Sequence, residues 1–216
     1  MLLVTFAVPH ESRSFRRTTA AGGVRVVHTG IGEAAARQAL QEALAAERPE
    51  AVISSGFAGG LASELQVGDL VADSSASSPD LLATLPSVVR RGRILTAPKP
   101  VESPEEKNRL QRETGALAVD METEAIAAEC ARAGIPLLVL RVISDAADDS
   151  IPVPLEAAWD TQRQRPRPVR LMAYLASHPG QIGPFLVFLQ QTNKAAAELA
   201  RTLANLALLE PTRHCQ

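Results

Sequence analysis

The sequence predicts an α/β fold, in which a largely parallel β-sheet is covered by helices on both faces. One observation is residues 115–149, where an apolar run, a helix-forming segment and a second apolar run follow one another. Another is the alternation of short apolar runs with helix-forming segments along most of the chain. A strand, a crossover helix and a further strand are typical of a parallel pair, whose ends meet at one sheet edge. Ligands bind at that edge in open α/β sheets.

The strand–helix–strand unit is defined by its apolar spacing. Residues 116–120 form a short apolar run, and residues 137–143 are dominated by Leu, Val and Ile, which is typical of a strand buried on both faces. Between them, residues 122–133 place apolar side chains at helical spacing and end before a glycine and a proline. The unit therefore predicts that Glu122 and Asp145 emerge side by side at the carboxyl edge of the sheet.

The elements before this unit are predicted from the same criteria. Apolar runs bounded by turn residues predict strands at residues 2–8, 24–29, 51–55, 67–72 and 93–96. A segment rich in Ala, Leu, Gln and Glu predicts a helix at residues 33–48. A second helix is predicted from the capping residue Ser103 to Gly115. Residues 74–86 predict a loop that contains a short helix at residues 81–85.

The sequence after this unit has a different composition. Residues 151–170 contain four prolines and four arginines, which predicts an irregular excursion. Residues 171–209 predict two helices, divided by Pro-Gly at 179–180 and Gly-Pro at 183–184. The chain is expected to form one domain over residues 1–216, with residues 151–216 as a divergent C-terminal helical region.

Composition excludes several functional classes. The net charge of −2 and the aromatic content of 3% do not match a nucleic-acid-binding surface. Residues 1–9 are apolar but lack a basic segment, so they predict a first strand and not a signal peptide. The apolar run at residues 185–189 is too short to span a bilayer.

The cysteines and histidines predict neither a metal site nor a disulfide. Cys130 lies in a predicted helix and Cys215 lies in the tail, and their spacing matches no metal motif. This cysteine usage favours a reducing, cytoplasmic setting. The histidines also lack metal spacing and are expected to be structural or exposed; they are His10, His28, His178 and His214. Of these, His28 ends a predicted strand and could line a site.

Notable residues follow four of the predicted strands. They are Glu11, the glycine-rich segment 56–60, Met121 with Glu122, and Ser144 with Asp145. If their strands are parallel, all four gather at one edge of the sheet and form a ligand site. Taken singly, each has an ordinary explanation: Glu11 as a solvated residue, Glu122 as a first-turn helix residue and Asp145 as a turn residue.

The glycine-rich segment and Asp145 suggest what such a site would do. Residues 56–60 allow the backbone to approach a ligand and would suit a following helix N-terminus that attracts an anion. A tight strand exit without a ligand explains them as well, and their spacing is neither a dinucleotide-binding nor a Walker A motif. Asp145 follows a buried strand, where burial would favour the protonated carboxyl and let it act as a proton donor.

Two short motifs carry a resemblance to a known family. Residues 119–122 (Val-Asp-Met-Glu) and 141–145 (Arg-Val-Ile-Ser-Asp) together resemble the signature pair of the nucleoside phosphorylase/nucleosidase family. The glycine-containing residues 29–32 and 55–61 are similar to further motifs of that family. The resemblance implies a three-layer α/β sandwich with a central mixed, largely parallel sheet, and a homodimer.

The resemblance also implies cleavage of the glycosidic bond of a nucleoside, with neither a metal nor an organic cofactor. Asp145 would protonate the purine at N7, and Glu11 would position or deprotonate the water that attacks C1′. Met121 and Glu122 would hold the ribose, with Glu122 stabilising positive charge on the sugar. The other predicted substrate-binding residues are Phe57, Ala58, Gly59 and Ser144.

Departures from the family pattern favour water over phosphate as the nucleophile. The chain lacks the Gly-Asp-Pro-x-Arg segment of purine phosphorylases, and Phe57 stands where relatives often carry a Ser or Thr. Adenine is the favoured base. Two alternatives stay open, a phosphate-dependent nucleoside phosphorylase and a nucleoside-binding protein without activity.

The chain also resembles one branch of the family, the hopanoid-associated phosphorylases. Residues 107–122 and 178–181 carry this resemblance, which implies adenosylhopane as a 5′-substituted substrate. Four arginines at residues 163–170 lie beside the apolar runs 171–175 and 185–189, which would suit a peripheral contact with an anionic membrane. A helix pair packed on the core, or a dimer interface, explains the same pattern.

Overall fold

The structure is a computed structural model that describes residues 1–18 and 23–209. Its strands are β1 (Leu2–Phe6), β2 (Val24–His28), β3 (Ala51–Gly60), β4 (Leu70–Asp73), β5 (Arg90–Gly92), β6 (Ile94–Thr96), β7 (Ala118–Asp120), β8 (Leu137–Asp145), β9 (Trp159–Asp160) and β10 (Arg165–Pro166). Its helices are α1 (Pro9–Thr18), α2 (Glu33–Ala46), α3 (Pro79–Ala83), α4 (Pro104–Thr114), α5 (Thr123–Ala133), α6 (Leu155–Ala158), α7 (Pro168–Ser177) and α8 (Ile182–Leu209).

The central sheet is mixed and largely parallel, as the sequence predicts. Its strand order is β2-β1-β3-β8-β4-β5, and the first four of these strands run parallel to one another. β4 pairs antiparallel with β8. The short strand β7 lies off this path, where it pairs antiparallel with β3 and parallel with β6.

Helices cover both faces of the sheet and complete the predicted three-layer sandwich. Phe15 of α1 and Leu199 of α8 are buried in one apolar cluster with Val4 of β1. Leu40 of α2 is buried in a second cluster, together with residues of α5 and Leu3 of β1. Val4 and Leu3 belong to opposite clusters because successive side chains of a strand point to opposite faces.

One prediction about the sheet is wrong, because β7 and β8 are not a parallel pair. β8 is parallel to β3, whereas β7 is antiparallel to it. The two strands lie on either side of Gly59, which pairs with Val119 in one and with Asp145 in the other. The three residues of β7 carry too little apolar pattern to predict a direction.

The prediction of a glycine-rich turn is also wrong. Residues 56–60 continue β3, so the strand has 10 residues. Residues 56–59 pair with β8, with a bulge between Ala58 and Gly59. The chain leaves β3 through residues 61–69, which contain no helix. The expected helix N-terminus with anion affinity is therefore absent after this segment.

Most other predicted elements are present, with shifted ends. β1, β2 and α2 match the predictions within two residues, whereas β4 begins three residues later and α3 two residues earlier than predicted. The Ser103 cap of α4 is confirmed, since its side chain accepts the Glu106 N–H at 3.3 Å. Helix α1 and strand β5 were not predicted. α1 begins at Pro9, where proline costs little because the first turn needs no N–H donor.

The C-terminal part is more regular than predicted. Residues 151–170 contain α6, the two-stranded β9–β10 hairpin and the start of α7. The predicted break between two helices is confirmed as a 3-10 turn at Pro179–Gln181, while Pro184 lies in the first turn of α8. No helix in the part of the chain that the structure describes is long and apolar enough to cross a membrane. The predictions for His214 and Cys215 lie outside the described residues.

Candidate active site

All eight residues singled out in the sequence line one cavity of about 370 Å³. They are Glu11, Phe57, Ala58, Gly59, Met121, Glu122, Ser144 and Asp145. The cavity lies at the carboxyl ends of β1, β7 and β8. These ends meet because β7 starts beside Gly60 and runs back toward the end of β1. The residues converge as predicted, but through an antiparallel strand.

Glu11 is held at the cavity by backbone donors. It lies in the first turn of α1, where Oε1 accepts the Phe57 N–H at 3.0 Å and Oε2 accepts the Val8 N–H at 3.1 Å. A side chain at Gly56 would place its Cβ 3.0 Å from Glu11 Oε1, so this close approach requires glycine. Burial raises the pKa of Glu11 above its ordinary value. This carboxyl is therefore fixed in position and more basic than an exposed one.

Glu122 is held by a single backbone donor between β7 and α5. Its Oε1 accepts the Gly32 N–H at 2.7 Å. Burial, followed by the negative charge of Asp120, raises the pKa of Glu122 to about 8. This raised pKa favours the protonated form of the Glu122 carboxyl at neutral pH.

Sequence reasoning missed the buried pair of Asp120 and Arg141. The Arg141 guanidinium contacts Asp120 Oδ2 at 2.8 Å and donates to the backbone oxygen of Ser54 at 2.8 Å. Thr123 Oγ1 also donates to Asp120 at 2.6 Å. These contacts join β3, β7, β8 and α5 beneath the cavity. Arg141 interrupts one apolar strand run and Asp120 ends another. Two opposite charges at such buried positions were the sequence signal for an ion pair.

Asp145 is contacted by two side chains at the end of β8. Ser144 Oγ donates to Asp145 Oδ1 at 2.5 Å, and Lys107 Nζ lies 2.5 Å from Asp145 Oδ2. The lysine contact is an ion pair and not a well-directed hydrogen bond, since Oδ2 has no hydrogen-bond donor among the described residues. A Cβ at Gly59 would lie 3.2 Å from this oxygen. The missing side chain at Gly59 leaves room beside this buried oxygen on the β3 side.

Lys107 is the third residue that sequence reasoning missed. It belongs to α4, and its Nζ donates to the backbone oxygens of Ala146 at 2.7 Å and Asp149 at 2.8 Å. Charged residues occur all along α4, so no sequence signal separates this buried lysine from its exposed neighbours.

The predicted histidines occupy different surroundings. His10 lines the cavity and lies beside the Phe57 ring, with 6.2 Å between ring centroids. His28 instead contacts Ser12 Oγ through Nε2 at 2.8 Å. Burial lowers the pKa of both histidines. Among the described residues, no group of three or more His, Cys, Asp or Glu is placed to bind a metal ion.

The β9–β10 hairpin is fastened to the loop that holds Glu122. Gln164 Oε1 accepts the Ile31 N–H at 2.8 Å, and Gln164 Nε2 donates to Ile31 O at 2.9 Å. Gln164 has a φ of 48°, in the left-handed region. The hairpin borders a second cavity of about 1150 Å³, which shares Trp159 with the first. The predicted irregular segment thus reaches the site.

A family comparison identifies the chain. A family model described as the phosphorylase superfamily matches residues 3–85 and 73–177. The chain belongs to this superfamily. The match confirms the family predicted from residues 119–122 and 141–145, and with it the prediction that the protein is an enzyme.

This superfamily member resembles solved structures over nearly its whole length. Helicobacter pylori 5′-methylthioadenosine/S-adenosylhomocysteine nucleosidase matches with a TM-score of 0.71 at 20% identity, over 96% of this chain and 97% of that chain. Helicobacter pylori futalosine hydrolase matches with a TM-score of 0.70 at 21% identity, over 96% and 97%. Streptococcus pyogenes S-adenosylhomocysteine nucleosidase matches with a TM-score of 0.70 at 18% identity, over 98% and 97%. At these identities the likeness shows a shared fold.

Proposed function

We propose that this protein hydrolyses the N-glycosidic bond of a purine nucleoside. The observation that carries the proposal is a set of buried carboxyl groups around one cavity, those of Glu11, Glu122 and Asp145. A fourth buried carboxyl group at the cavity, that of Asp120, is held by Arg141 and Thr123. The reaction needs a proton for the departing base, a base for the attacking water and stabilisation of positive charge on the ribose. Three carboxyl groups match these three tasks. Neighbours described as nucleosidases and as a futalosine hydrolase support the same reaction.

Asp145 is the proposed general acid. The hydroxyl of Ser144 holds one carboxyl oxygen, and the other lies between Lys107 and Gly59, whose missing side chain leaves room beside it. Asp145 pairs with Lys107 as an anion in the free protein, so it first takes up a proton from solvent. This proton then moves from Asp145 to N7 of the purine while the C1′–N9 bond breaks. The electrons of that bond go to the base, which leaves as a neutral molecule.

Glu122 and Met121 are the proposed ribose contacts. With a pKa of about 8, the Glu122 carboxyl is protonated at neutral pH and can both donate and accept hydrogen bonds with ribose hydroxyls. As positive charge develops on the sugar in the transition state, the carboxyl oxygens of Glu122 interact favourably with it.

Glu11 is the proposed base for water. Two backbone N–H groups orient its carboxylate, and its raised pKa makes it a stronger base than an exposed glutamate. The water oxygen bonds to C1′, and the water proton moves to Glu11. The balanced reaction converts a nucleoside and one water into a free sugar and a free base.

The charges around the cavity favour water over phosphate as the nucleophile. The buried guanidinium of Arg141 is paired with Asp120, and the buried ammonium of Lys107 is paired with Asp145. Lys99 lines the cavity, but its side chain is exposed. Among the described residues, a phosphate dianion would therefore meet carboxyl groups without a buried cation free to neutralise it.

We infer further that the substrate is an adenine nucleoside with an apolar 5′ substituent. Apolar side chains of α6 and α8 form one wall of the cavity: Leu155, Phe188 and Leu189. Such a wall suits an alkyl or lipid group better than a charged one. Adenosylhopane, which the sequence resemblance implies, is the proposed substrate among adenine nucleosides that carry a lipid 5′ group.

The test measures release of free base from adenosine-type nucleosides with small, medium and lipid 5′ groups, each with and without phosphate. Release without phosphate, together with a free sugar, is the expected result. Strict dependence on phosphate, with a sugar 1-phosphate as product, would identify a phosphorylase. Binding of the nucleosides without any release would identify a binding protein.

We also propose that the protein is a homodimer that covers an apolar surface of α7 and α8. Of the six exposed large apolar side chains among the described residues, five lie here: Val169, Met172, Ile182, Leu186 and Val187. Analytical ultracentrifugation should give a dimer, and Leu186→Lys with Val187→Lys should dissociate it. A monomer that floats with anionic vesicles would instead identify a cytoplasmic membrane contact.

A further inference from the structure

Lys107 is a fully buried charged residue beside the proposed general acid. Its side chain is 0% exposed, and its Nζ lies 2.5 Å from Asp145 Oδ2. A buried ammonium group is costly unless it is paired and hydrogen-bonded. Here two backbone oxygens, of Ala146 and Asp149, accept its N–H groups and fix the position of Nζ.

We propose that Lys107 is a positioning residue for the hydrolysis described above, on which this inference rests. Its ammonium group and the Ser144 hydroxyl contact opposite oxygens of Asp145 and fix the plane of the carboxyl group. Asp145 becomes an anion when its proton moves to N7 of the base. Lys107 stabilises that anion at close range in a water-poor site, where a charge–charge interaction is stronger than in solution.

The proposal differs from a purely structural role in one respect. If Lys107 only joined α4 to residues 146–149 through its hydrogen bonds, it would support every step of the reaction equally. A residue that acts through Asp145 matters only where the leaving group needs a proton. In 4-nitrophenyl β-ribofuranoside the leaving group departs as a stable anion. Its cleavage therefore needs no proton from Asp145.

The experiment compares the two substrate types in Lys107→Met and Lys107→Gln. We expect kcat/KM for the adenine nucleoside to fall about 100-fold and kcat/KM for the nitrophenyl riboside to fall less than about 3-fold. The ratio of the two rates does not depend on the folded fraction, so partial misfolding leaves it interpretable. Lys107→Arg keeps the charge and should retain a ratio close to that of the wild type. Lys194→Met, at an exposed lysine of α8, is the matched control.

A double variant completes the test. In a protein that carries Asp145→Asn, adding Lys107→Met should change nucleoside hydrolysis less than about 3-fold, because both substitutions affect one proton transfer. Equal losses on both substrates, or an unchanged nucleoside rate in Lys107→Met, would overturn the role proposed for Lys107. A wild-type protein that cleaves neither substrate would overturn the proposed function itself, so the two failures are distinguishable.

Discussion

Glu122 and Asp145 are both buried carboxyl groups at strand ends of one cavity, yet their partners differ. Glu122 receives one backbone N–H, and its charged neighbour Asp120 is itself negative. Asp145 receives a hydroxyl and lies against the ammonium group of Lys107. Burial alone therefore does not decide what a carboxyl group can do. The charges and donors around it decide which protonation state the site supports.

The largest expected effect follows from removing the proton donor. Asp145→Asn should lower kcat/KM for an adenine nucleoside by about 10³-fold, because the amide cannot protonate N7. Hydrolysis of 4-nitrophenyl β-ribofuranoside should be retained, and circular dichroism should show an intact fold. An Asp145→Asn protein with wild-type nucleoside activity would contradict the proposed mechanism.

Glu11→Gln should lower activity by about 10²-fold on both substrate types, because attack by water is common to both. This pattern separates Glu11 from Asp145, whose substitution spares the nitrophenyl riboside. The measurement is kcat/KM for each substrate. A loss confined to the purine nucleoside would show that Glu11 acts on the leaving group.

The pH dependence of stability should report Glu122. Its pKa is about 8 in the folded protein against an ordinary value of 4.5, so the folded state keeps a proton that the unfolded chain releases. The free energy of unfolding should therefore fall as pH rises from about 5 to about 8. Glu122→Gln should remove most of this fall, which is on the order of 3 kcal/mol between about pH 5 and about pH 8.

Urea denaturation at several pH values measures that slope. Glu124→Gln is the matched control, since Glu124 lies two residues further on, in the first turn of α5, and is exposed. Equal slopes in the wild type and in Glu122→Gln would show that Glu122 is ionised in the folded protein.

The smallest expected effect concerns Gln164, which joins the β9–β10 hairpin to the loop between β2 and α2 through two hydrogen bonds with Ile31. Gln164→Ala should raise KM about 5-fold with little change in kcat. Without the Gln164 hydrogen bonds to Ile31, the next residue, Gly32, is held less firmly, and its N–H orients the Glu122 carboxyl group less well. Gln162→Ala, in the exposed turn of the same hairpin, should leave KM unchanged. A lowered kcat in the Gln164→Ala variant would show instead that this loop affects the chemical step and not only substrate binding.

The sequence was informative where apolar spacing and short motifs coincide. It predicted the sandwich, most strands and the convergence of eight residues that line one cavity, while the roles of these residues stay predictions. It did not predict the direction of β7, because three residues carry almost no pattern. It also missed Lys107, since burial of one lysine in a charged helix depends on tertiary packing. Long-range partners of this kind leave no local periodicity.

The shared pairing of Gly59 has a consequence for how this architecture can diversify. Gly59 of β3 pairs with Val119 of β7 on one side and with Asp145 of β8 on the other. Backbone pairing therefore sets the distance between β7, which leads to Glu122, and β8, which ends in Asp145. Two strand spacings amount to about 10 Å. Cavity side chains can therefore be exchanged during evolution without altering this span. An insertion or deletion in β3 would shift both registers together, so new specificities should arise from side-chain substitutions rather than from changes in strand length.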